Sequence, residues 1–378
     1  MNTMTVQQIV ENDEDLILKN TASLDDLMPF LKQGLRVPDE LCYLLYDLDL
    51  FTLGSFAQKR REALHGRKVY FNCNRHINPT NLCQDVCKFC AFSAHRHNPN
   101  PYFMSHEEIM KIVDETVARG TKEVHIVSAH NKKGGWQWYF EIFRKIKDKY
   151  PQIHVKAMTA AEINFIAQSY EKSYEEVIDL MIEYGVDSMP GGGAEIFNED
   201  IRRELCEGKV SSSNWLKIHG LWHSKGRASN ATMLFGHIES QAHRIDHMLR
   251  LRHQQDVSGG FNAFIPLVWQ RDNSFIKTDK ECGSVEILKT IAIARIILDN
   301  VKNIKAYWAT LGLNLAMVAQ EFGANDLDGT IERESIQSAG GAKSRAGKGI
   351  QDFLDNIQTS GLIPVERDSL YNELVIYE

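Results

Sequence analysis

Three cysteines in the stretch NLCQDVCKFC stand apart as a group that could bind a metal. They are Cys83, Cys87 and Cys90, with three residues in the first gap and two in the second. Thiolates suit soft metals, so the group could hold zinc or an iron–sulfur cluster. A zinc site would need His95, His97 or a distant residue as its fourth ligand. An iron–sulfur cube with three cysteine ligands fits better, and its open iron is a place for a substrate to bind.

The remaining cysteines do not indicate a second site. They are scattered singly, as is typical of small buried hydrophobic side chains: Cys42, Cys73, Cys206 and Cys282. Seven cysteines in a chain without an export signal do not predict a disulfide framework, because the cytosol keeps thiols reduced. Phe89 and Phe92 flank the third cysteine and are expected to shield a cluster from water.

Composition excludes several classes of function. The chain has 378 residues, of which 43% are hydrophobic, and its net charge is −7. This charge argues against a broad nucleic-acid surface, since phosphate binding needs a basic one. No run approaches the roughly 18 apolar residues that span a bilayer, and the polar, acidic start lacks the features of a signal peptide. We therefore expect a cytoplasmic protein with neither a membrane span nor a nucleic-acid partner.

Alternating elements predict the fold that positions the cysteine loop. The first seventy residues have helical spacing, and KVYFNCNRHIN then reads as a strand that leads into the loop. Five more strands alternate with helices, and Ser105 and Glu108 form a capping box for one of these helices. The later strands are EVHIVS, HVKAMT, VDSMP, NATMLF and FNAFIP. Such alternation predicts an α/β fold in which a parallel sheet closes into a (β/α) barrel or a partial TIM barrel.

The same pattern divides the chain into three segments. Residues 1–66 are expected to pack on the barrel as an N-terminal helical segment. The barrel is expected to occupy residues 67–310, and residues 311–378 to form a C-terminal extension of helix and strand.

Polar groups and glycines follow three further strands, at the end of the barrel where chemistry gathers. Gly191, Gly192 and Gly193 either form a plain turn or let the backbone approach a ligand. Glu162 and Glu239 either contact a bound ligand or lie at helix N-termini favoured by the helix dipole.

The cysteine spacing after the first strand of a barrel resembles the radical S-adenosylmethionine (radical SAM) superfamily. Further motifs resemble the aminofutalosine synthases of the futalosine route to menaquinone. They occur in this order: HINPTNLC, KAMTAAEI, PGGGAEIF, SNATMLFGHIES, GGFNAFIPL and NDLDGT. The related dehypoxanthine futalosine cyclases share the cysteine loop and the PGGGAE stretch.

This resemblance implies a complete set of ligands. Cys83, Cys87 and Cys90 would hold a 4Fe-4S cluster whose open iron takes S-adenosylmethionine, which is consumed. Glycines 191–193 with Glu162, Glu195 and Glu239 would contact that cofactor. The small-molecule substrate would be 3-[(1-carboxyvinyl)oxy]benzoate, and the products 6-amino-6-deoxyfutalosine, methionine and bicarbonate. A flavodoxin or a ferredoxin would supply the electron.

Some features leave other readings open. Ser128 and Ala129 stand where the synthases usually have a Gly-Gly pair, although their backbone carbonyls remain available. A hydrogen-abstracting cyclase is the alternative enzyme, and a non-catalytic iron–sulfur protein is the more remote one. Arg244 either pairs with a substrate carboxylate or lies on a solvated helix face. The alternation of the first strand does not decide whether His76 and Asn78 face the cluster side.

Two pairs of histidines lie four residues apart on predicted helices, a spacing that can bind a metal. They are His219 with His223, and His243 with His247. No glutamate accompanies either pair in the pattern of a zinc protease helix, so roles in packing or at the surface are favoured.

Overall fold

The protein is an eight-stranded parallel barrel wrapped by helices. A computed structural model describes residues 22–94, 100–331, 335–342 and 348–378. Its strands are β1 (Lys68–Asn72), β2 (Asn74–Ile77), β3 (Glu123–Ile126), β4 (His154–Ala157), β5 (Ser229–Phe235), β6 (Phe261–Val268), β7 (Asn303–Ile304), β8 (Asp326–Gly329), β9 (Ile363–Arg367) and β10 (Glu373–Ile376). His95 and His97 lie outside the described residues.

Helices fill the segments between these strands. The α-helices are Leu24–Gln33, Asp39–Cys42, Leu50–His65, His106–Val117, Gly135–Lys149, Ala160–Ser169, Tyr174–Glu183, Glu199–Cys206, Ser212–Ser224, Gln241–Ser258, Ser284–Ile297, Trp308–Leu311, Leu313–Val318, Ile336–Ala339 and Ile350–Thr359. The capping box of Ser105 and Glu108 is confirmed at the start of His106–Val117. No helix within the described ranges combines the length and the apolar composition that a membrane span requires.

Pairing runs in chain order around the barrel and confirms the predicted fold class. β2, β3 and β4 pair in parallel, and a single bridge joins Lys156 to Ser188. A second bridge joins Met189 to Ser229, after which β5, β6 and β7 pair in parallel. A bridge from Lys305 to Asp326 leads to β8, which pairs with β1 and closes the ring.

The predicted first strand is two strands, because its partners change at Cys73. β1 pairs with β8 on one side and with β9 on the other, whereas β2 pairs with β3. β9 and the antiparallel β10 therefore extend a side sheet away from the ring. Both strands lie in the C-terminal segment that was expected to contain helix and strand.

The predicted strand VDSMP is reduced to two bridged residues, Ser188 and Met189. The Asp187 carboxylate accepts a hydrogen bond from the Val155 N–H at 2.8 Å, so a side chain replaces part of the backbone ladder. Pro190, which has no N–H to donate, then ends the pairing. β8 completes the ring although it lies beyond residue 310; the three proposed segment boundaries stay predictions.

Alternation along the strands separates an apolar layer from a polar interior. Val124 and Val155 are fully buried in the apolar core, which packs against helices at residues such as Phe140 and Ile146. Their neighbours in sequence, Glu123, His125 and Lys156, line a cavity inside the ring. Because successive strand residues face opposite sides, the interior of this barrel can be polar without weakening the outer core.

Closure of the ring predicts that Gly329 tolerates no side chain. A Cβ at Gly329 would lie 2.2 Å from the Asn74 Oδ1 atom and 2.7 Å from the Asn72 carbonyl oxygen. Gly329→Ala is expected to lower the free energy of unfolding by about 1–3 kcal/mol, the usual cost of overpacking. Urea denaturation would measure it. Gly283→Ala is the control, since a Cβ there meets nothing within 4 Å; equal effects of the two variants would contradict this view of closure.

Candidate active site

A cavity of about 230 Å³, here called the outer chamber, lies at the carboxyl ends of the strands. Cys83, Cys87 and Cys90 all line it, and so do Phe89 and Phe92. The predicted loops after other strands contribute the facing wall, at Ser128, Ala129, Gly192, Gly193 and Glu195. The structure therefore brings the cysteine loop, the β3 end and the glycine stretch to one cavity.

Backbone contacts with the β3 end hold the cysteine loop in place. The Gln84 N–H donates to the His130 carbonyl at 2.7 Å, and the Asn131 amide donates to the Leu82 carbonyl at 2.9 Å. The side chains of His130 and Asp85 meet at 2.8 Å. The loop is thereby fixed on both sides of its first cysteine.

The thiol of Cys87 is buried near the Lys209 ammonium, whereas Cys83 and Cys90 are partly exposed. Burial raises the pKa of the Cys87 thiol well above its usual range, while the Lys209 ammonium acts in the opposite direction. Lys209 Nζ lies 2.8 Å from Glu195 Oε1 and 5.3 Å from the centre of the Phe89 ring. Cysteines bind metals as thiolates, so metal binding at this wall must displace the thiol protons. The Lys209 ammonium lies beside this wall and favours the thiolate form.

The three glycines are required by close packing on every side. A Cβ at Gly191 would lie 2.8 Å from the Asn230 carbonyl oxygen, and one at Gly192 would lie 2.8 Å from Thr159 Cγ2. Gly193 has φ +90°, a conformation that side-chain-bearing residues rarely adopt. The loop therefore presents backbone to the chamber, as a ligand-approaching turn would.

A buried arginine organises this glycine loop from behind. The Arg202 guanidinium donates to the carbonyls of Gly193, Ala194, Ile196 and Val210. A planar group with five N–H donors can satisfy several carbonyls that would otherwise be buried without partners. Sequence reasoning did not single out Arg202, because nothing in its helix marks it among other basic residues.

Glu162 lies behind the chamber and not in its wall. One carboxylate oxygen accepts from the Ser128 N–H at 2.9 Å, and the other from the Thr159 N–H and hydroxyl, both at 2.8 Å. Glu162 thus caps its own helix and fixes the end of β3. Both of its carboxylate oxygens already accept hydrogen bonds from the protein's own groups. A contact between Glu162 and the cofactor stays a prediction.

Glu239 likewise serves the protein's own backbone and an internal ion pair. Its oxygens accept from the Gly236 and His237 N–H groups at 2.6 and 2.9 Å, and it pairs with Arg244 at 2.7 Å. Arg244 also contacts Glu286 at 2.7 Å. Neither Glu239 nor Arg244 lines the outer chamber. Arg244 is buried, so the suggestion that it lies on a solvated helix face is wrong, and its contact with a substrate carboxylate stays a prediction.

The histidine pairs on helices have packing roles. Both His219 and His223 hydrogen-bond the Ser229 hydroxyl, at 2.8 and 2.7 Å, and His247 stacks on Phe197 with ring centres 3.9 Å apart. All four of these histidine side chains are buried: His219, His223, His243 and His247.

The donor set of the outer chamber fits an iron–sulfur cluster better than zinc. Within the described ranges, the group of metal-binding side chains close enough to share one ion is Cys83, Asp85 and His130. Asp85 and His130, however, already pair with each other. Three soft thiols in one cavity wall, with a backbone-lined space opposite, match a cluster that leaves one iron for a second ligand.

A second cavity of about 170 Å³, the inner chamber, lies deeper in the barrel. It shares Val127, Thr159, Gly192, Thr232 and Leu267 with the outer chamber, so the two are adjoining.

Charged side chains from the strand interiors line the inner chamber as matched pairs. Lys156 lies 2.7 Å from Glu123, and Lys305 contacts Asp328. Burial alone would raise the pKa of the Asp328 carboxyl, but Lys305, His76 and Arg367 together outweigh it and hold that pKa well below its usual range. These four charged residues were not among the predicted site residues. Only their alternation with apolar residues along short strands could have indicated that they face the barrel interior.

Comparison with known proteins places the chain in a family. Residues 77–251 match the model "Radical SAM superfamily", and residues 258–377 match "CofH/MqnC C-terminal region". An aminodeoxyfutalosine synthase of Thermus thermophilus is 39% identical over 353 residues, which cover 92% of this chain and 94% of the relative. The chain belongs to the radical SAM superfamily.

Other relatives show how broad this branch of the radical SAM superfamily is. An aminodeoxyfutalosine synthase of Streptomyces coelicolor is 35% identical, covering 92% of this chain and 93% of that one. A cyclic dehypoxanthine futalosine synthase of the same organism is 34% identical, covering 93% of this chain and 90% of that one.

Two solved structures share the fold at low sequence identity. Methylornithine synthase (PylB) superposes with a TM-score of 0.72 at 16% identity, covering 89% of this chain and 97% of that one. The FeFe-hydrogenase maturase HydG from Carboxydothermus hydrogenoformans gives 0.75 at 13% identity, covering 97% and 85%.

The buried Glu239–Arg244 pair predicts a stability loss that depends on pH. Glu239→Gln is expected to lower the free energy of unfolding at pH 7 by about 3 kcal/mol, because it leaves a buried cation short of a partner. Although burial opposes it, the neighbouring His237 and Arg244 hold the pKa of the Glu239 carboxyl far below its unfolded value. Its contribution is therefore complete above the unfolded pKa and is lost as the pH falls below about 4.3.

Urea denaturation between pH 3 and 8 would measure this difference between the wild type and Glu239→Gln. The difference should narrow as the pH falls. Glu286→Gln is the matched control, because Glu286 pairs with the same arginine but its side chain is 33% exposed. It should cost at most about 1 kcal/mol. A difference for Glu239→Gln that does not change with pH would contradict the role of its charge.

Proposed function

We propose that the protein is an aminofutalosine synthase. It joins the 5′-deoxyadenosyl group of S-adenosylmethionine to 3-[(1-carboxyvinyl)oxy]benzoate, with formation of a carbon–carbon bond and loss of a carboxyl group. One water is consumed, and the products are 6-amino-6-deoxyfutalosine, methionine and bicarbonate. The observation that carries this proposal is the shared outer chamber, where three cysteines face the glycine loop and the space continues into a polar barrel interior.

Sequence relatives support the synthase among the reactions of this family. Both relatives named aminodeoxyfutalosine synthase match over more than nine-tenths of this chain, as does the cyclic dehypoxanthine futalosine synthase at slightly lower identity. The motifs KAMTAAEI and NDLDGT and the stretch FIPLVWQ resemble the synthase more than the cyclase. The cyclase reaction, which removes hydrogen from a preformed nucleoside, is the alternative that an assay must exclude.

The chain's own residues bind and orient the reactants in this proposal. Cys83, Cys87 and Cys90 would hold a 4Fe-4S cluster, which when bound supplies the electron that cleaves S-adenosylmethionine. Backbone groups of Gly192, and of Gly193 whose carbonyl accepts from Arg202, line the space where that cofactor would lie. Phe89 and Phe92 exclude water on the cysteine side. Because the two reactants are held in adjoining chambers, their reaction becomes effectively unimolecular, which lowers its entropic cost.

The electron would come from a flavodoxin or a ferredoxin. An iron–sulfur centre in this family of reactions needs a strongly reducing donor, and potentials of iron–sulfur proteins extend down to about −700 mV. A small reduced carrier protein is the class of partner that meets this need.

Loss of the cluster in single cysteine variants tests the metal site. Cys83→Ala, Cys87→Ala and Cys90→Ala are each expected to lose most of their iron and sulfide after anaerobic reconstitution, because each removes one of three ligands. Cys282→Ala should keep the full complement, since Cys282 does not line the outer chamber. Iron and sulfide analysis with electron paramagnetic resonance would measure both. Retention of the cluster in any of the first three variants would overturn the assigned ligand set.

Direct assay tests the reaction. The assay combines the reconstituted protein with S-adenosylmethionine, a reductant and the enol-ether substrate. It should yield an adenosylated benzoate product and an equimolar amount of methionine, both measured by mass spectrometry. Release of free 5′-deoxyadenosine, with the enol ether unchanged, would exclude the synthase. The dehypoxanthine futalosine substrate would then be supplied, and its consumption would assign the cyclase reaction.

A further inference from the structure

Two histidine rings meet in the wall of the inner chamber without committed partners. His76 on β2 and His125 on β3 are partners in the strand register, and their ring centres lie 4.6 Å apart at 69°. Both line the inner chamber. The Nε2 atom of each is buried and has no hydrogen-bond partner among the described residues. We call these two residues the histidine pair.

Such unpartnered nitrogens need an explanation, because buried polar atoms in native proteins are nearly always hydrogen-bonded. Two such nitrogens on adjacent rings in one cavity wall indicate that a ligand supplies the partner that the protein does not. Burial lowers the pKa of both imidazoles, and each ring lies close to the other. Both imidazoles are therefore neutral when the chamber is empty, and a bound anion would favour their protonation.

The other charged groups facing the histidine pair are already matched. These groups are Glu123 on β3, Lys156 on β4, Lys305 after β7 and Asp328 on β8. Each lysine contacts one carboxylate, at 2.7 Å in the first pair. The four charges sum to zero, so an incoming anion meets two cations that already have acidic partners. The histidine pair is the group in this wall that can take a proton and add positive charge.

The wall shared by the two chambers suits an aromatic ring. Val127 and Leu267 line both chambers and supply apolar contacts. The proposed substrate carries one carboxylate on its alkene and another on its benzene ring. The alkene end must lie toward the outer chamber, where the adenosyl group is generated, so the ring carboxylate extends inward.

We propose that the histidine pair binds the ring carboxylate of the substrate. This inference rests on the proposed function and assigns a specificity site within it. His76 and His125 then act as substrate-binding residues that select an aromatic acid and set how far its alkene reaches toward the adenosyl group. An imidazolium is the form that binds best, so substrate binding carries a proton into the barrel.

Titration calorimetry on the anaerobic, reconstituted holoprotein tests the site. S-adenosylmethionine is present and reductant is absent, so that nothing turns over. The two ligands are 3-[(1-carboxyvinyl)oxy]benzoate and 2-phenoxyacrylate, which lacks the ring carboxylate. The wild type should bind the dicarboxylate at least about tenfold more tightly, as expected for charge-assisted hydrogen bonds.

His76→Phe and His125→Phe keep an aromatic ring in the wall but remove both nitrogens. Each should weaken binding of the dicarboxylate about tenfold or more, while the Kd for 2-phenoxyacrylate changes less than about twofold. His65→Phe is the matched control. His65 is also a partly buried histidine in ring contact with a tyrosine, but it lies before β1, at the opposite end of the barrel. Its binding of both ligands should equal that of the wild type.

Proton uptake separates a binding role from a packing role. Calorimetry in two buffers of different ionisation enthalpy should show protons taken up when the wild type binds the dicarboxylate. The two Phe variants should take up fewer, and 2-phenoxyacrylate should cause less uptake in every protein. A variant that merely loosens the barrel would weaken both ligands equally and would overturn the proposal, as would binding of the dicarboxylate with wild-type affinity.

Addition of reductant distinguishes this inference from the proposed function. If the histidine variants lose the dicarboxylate selectively but the wild type forms no adenosylated product, the carboxylate site stands and the synthase reaction fails. If the wild type forms product and the variants bind the dicarboxylate normally, the reaction stands and the carboxylate site fails.

Discussion

The structure depends on the change of hydrogen-bonding partner at Cys73. Before this residue β1 pairs with β8 and β9, and after it β2 pairs with β3. The seam is tied by the Thr330 N–H, which donates to the Asn72 carbonyl at 2.9 Å, and by the Ile331 N–H, which donates to Asn74 Oδ1 at 3.1 Å. Because the seam leads directly into the cysteine loop, closing the ring also sets where the cysteines lie.

Several buried charged side chains in this protein hold backbone groups, including the acidic residues that follow the barrel strands. Glu162 and Glu239 follow strands in the places expected of ligand contacts, yet their oxygens accept backbone N–H groups beside the chamber. Arg202 does the converse for carbonyls. Charge-assisted hydrogen bonds are stronger than neutral ones, so they suit loops that must keep their shape around an exchanging ligand.

Sequence reasoning identified the parts of the site that are continuous in the chain. The spacing of Cys83, Cys87 and Cys90 and the run from Gly191 to Gly193 carry their meaning locally, as do helices with capping boxes. The alternating strands likewise predicted the barrel. β7 was missed because it is only two residues long, and β8 because Asp-Leu-Asp-Gly has little strand propensity.

What sequence could not supply was pairing across strands. Lys156 with Glu123, Lys305 with Asp328, and His76 with His125 each join residues from different strands. Alternation alone left the direction of His76 open, since a one-residue shift would reverse it. The change of strand partner at Cys73 determines which way the His76 side chain points. That change follows from contacts with β8 and β9, which are distant in the sequence.

The division into two adjoining chambers bears on how such an enzyme can diversify. Loops and backbone form much of the outer chamber, whereas side chains from strand interiors form much of the inner one. An exchange of strand side chains can reshape the inner cavity while the loop backbone keeps its course. The outer half of the site can therefore be inherited unchanged while the inner half acquires a new substrate. This accords with relatives named as an aminodeoxyfutalosine synthase and as a cyclic dehypoxanthine futalosine synthase at 39% and 34% identity.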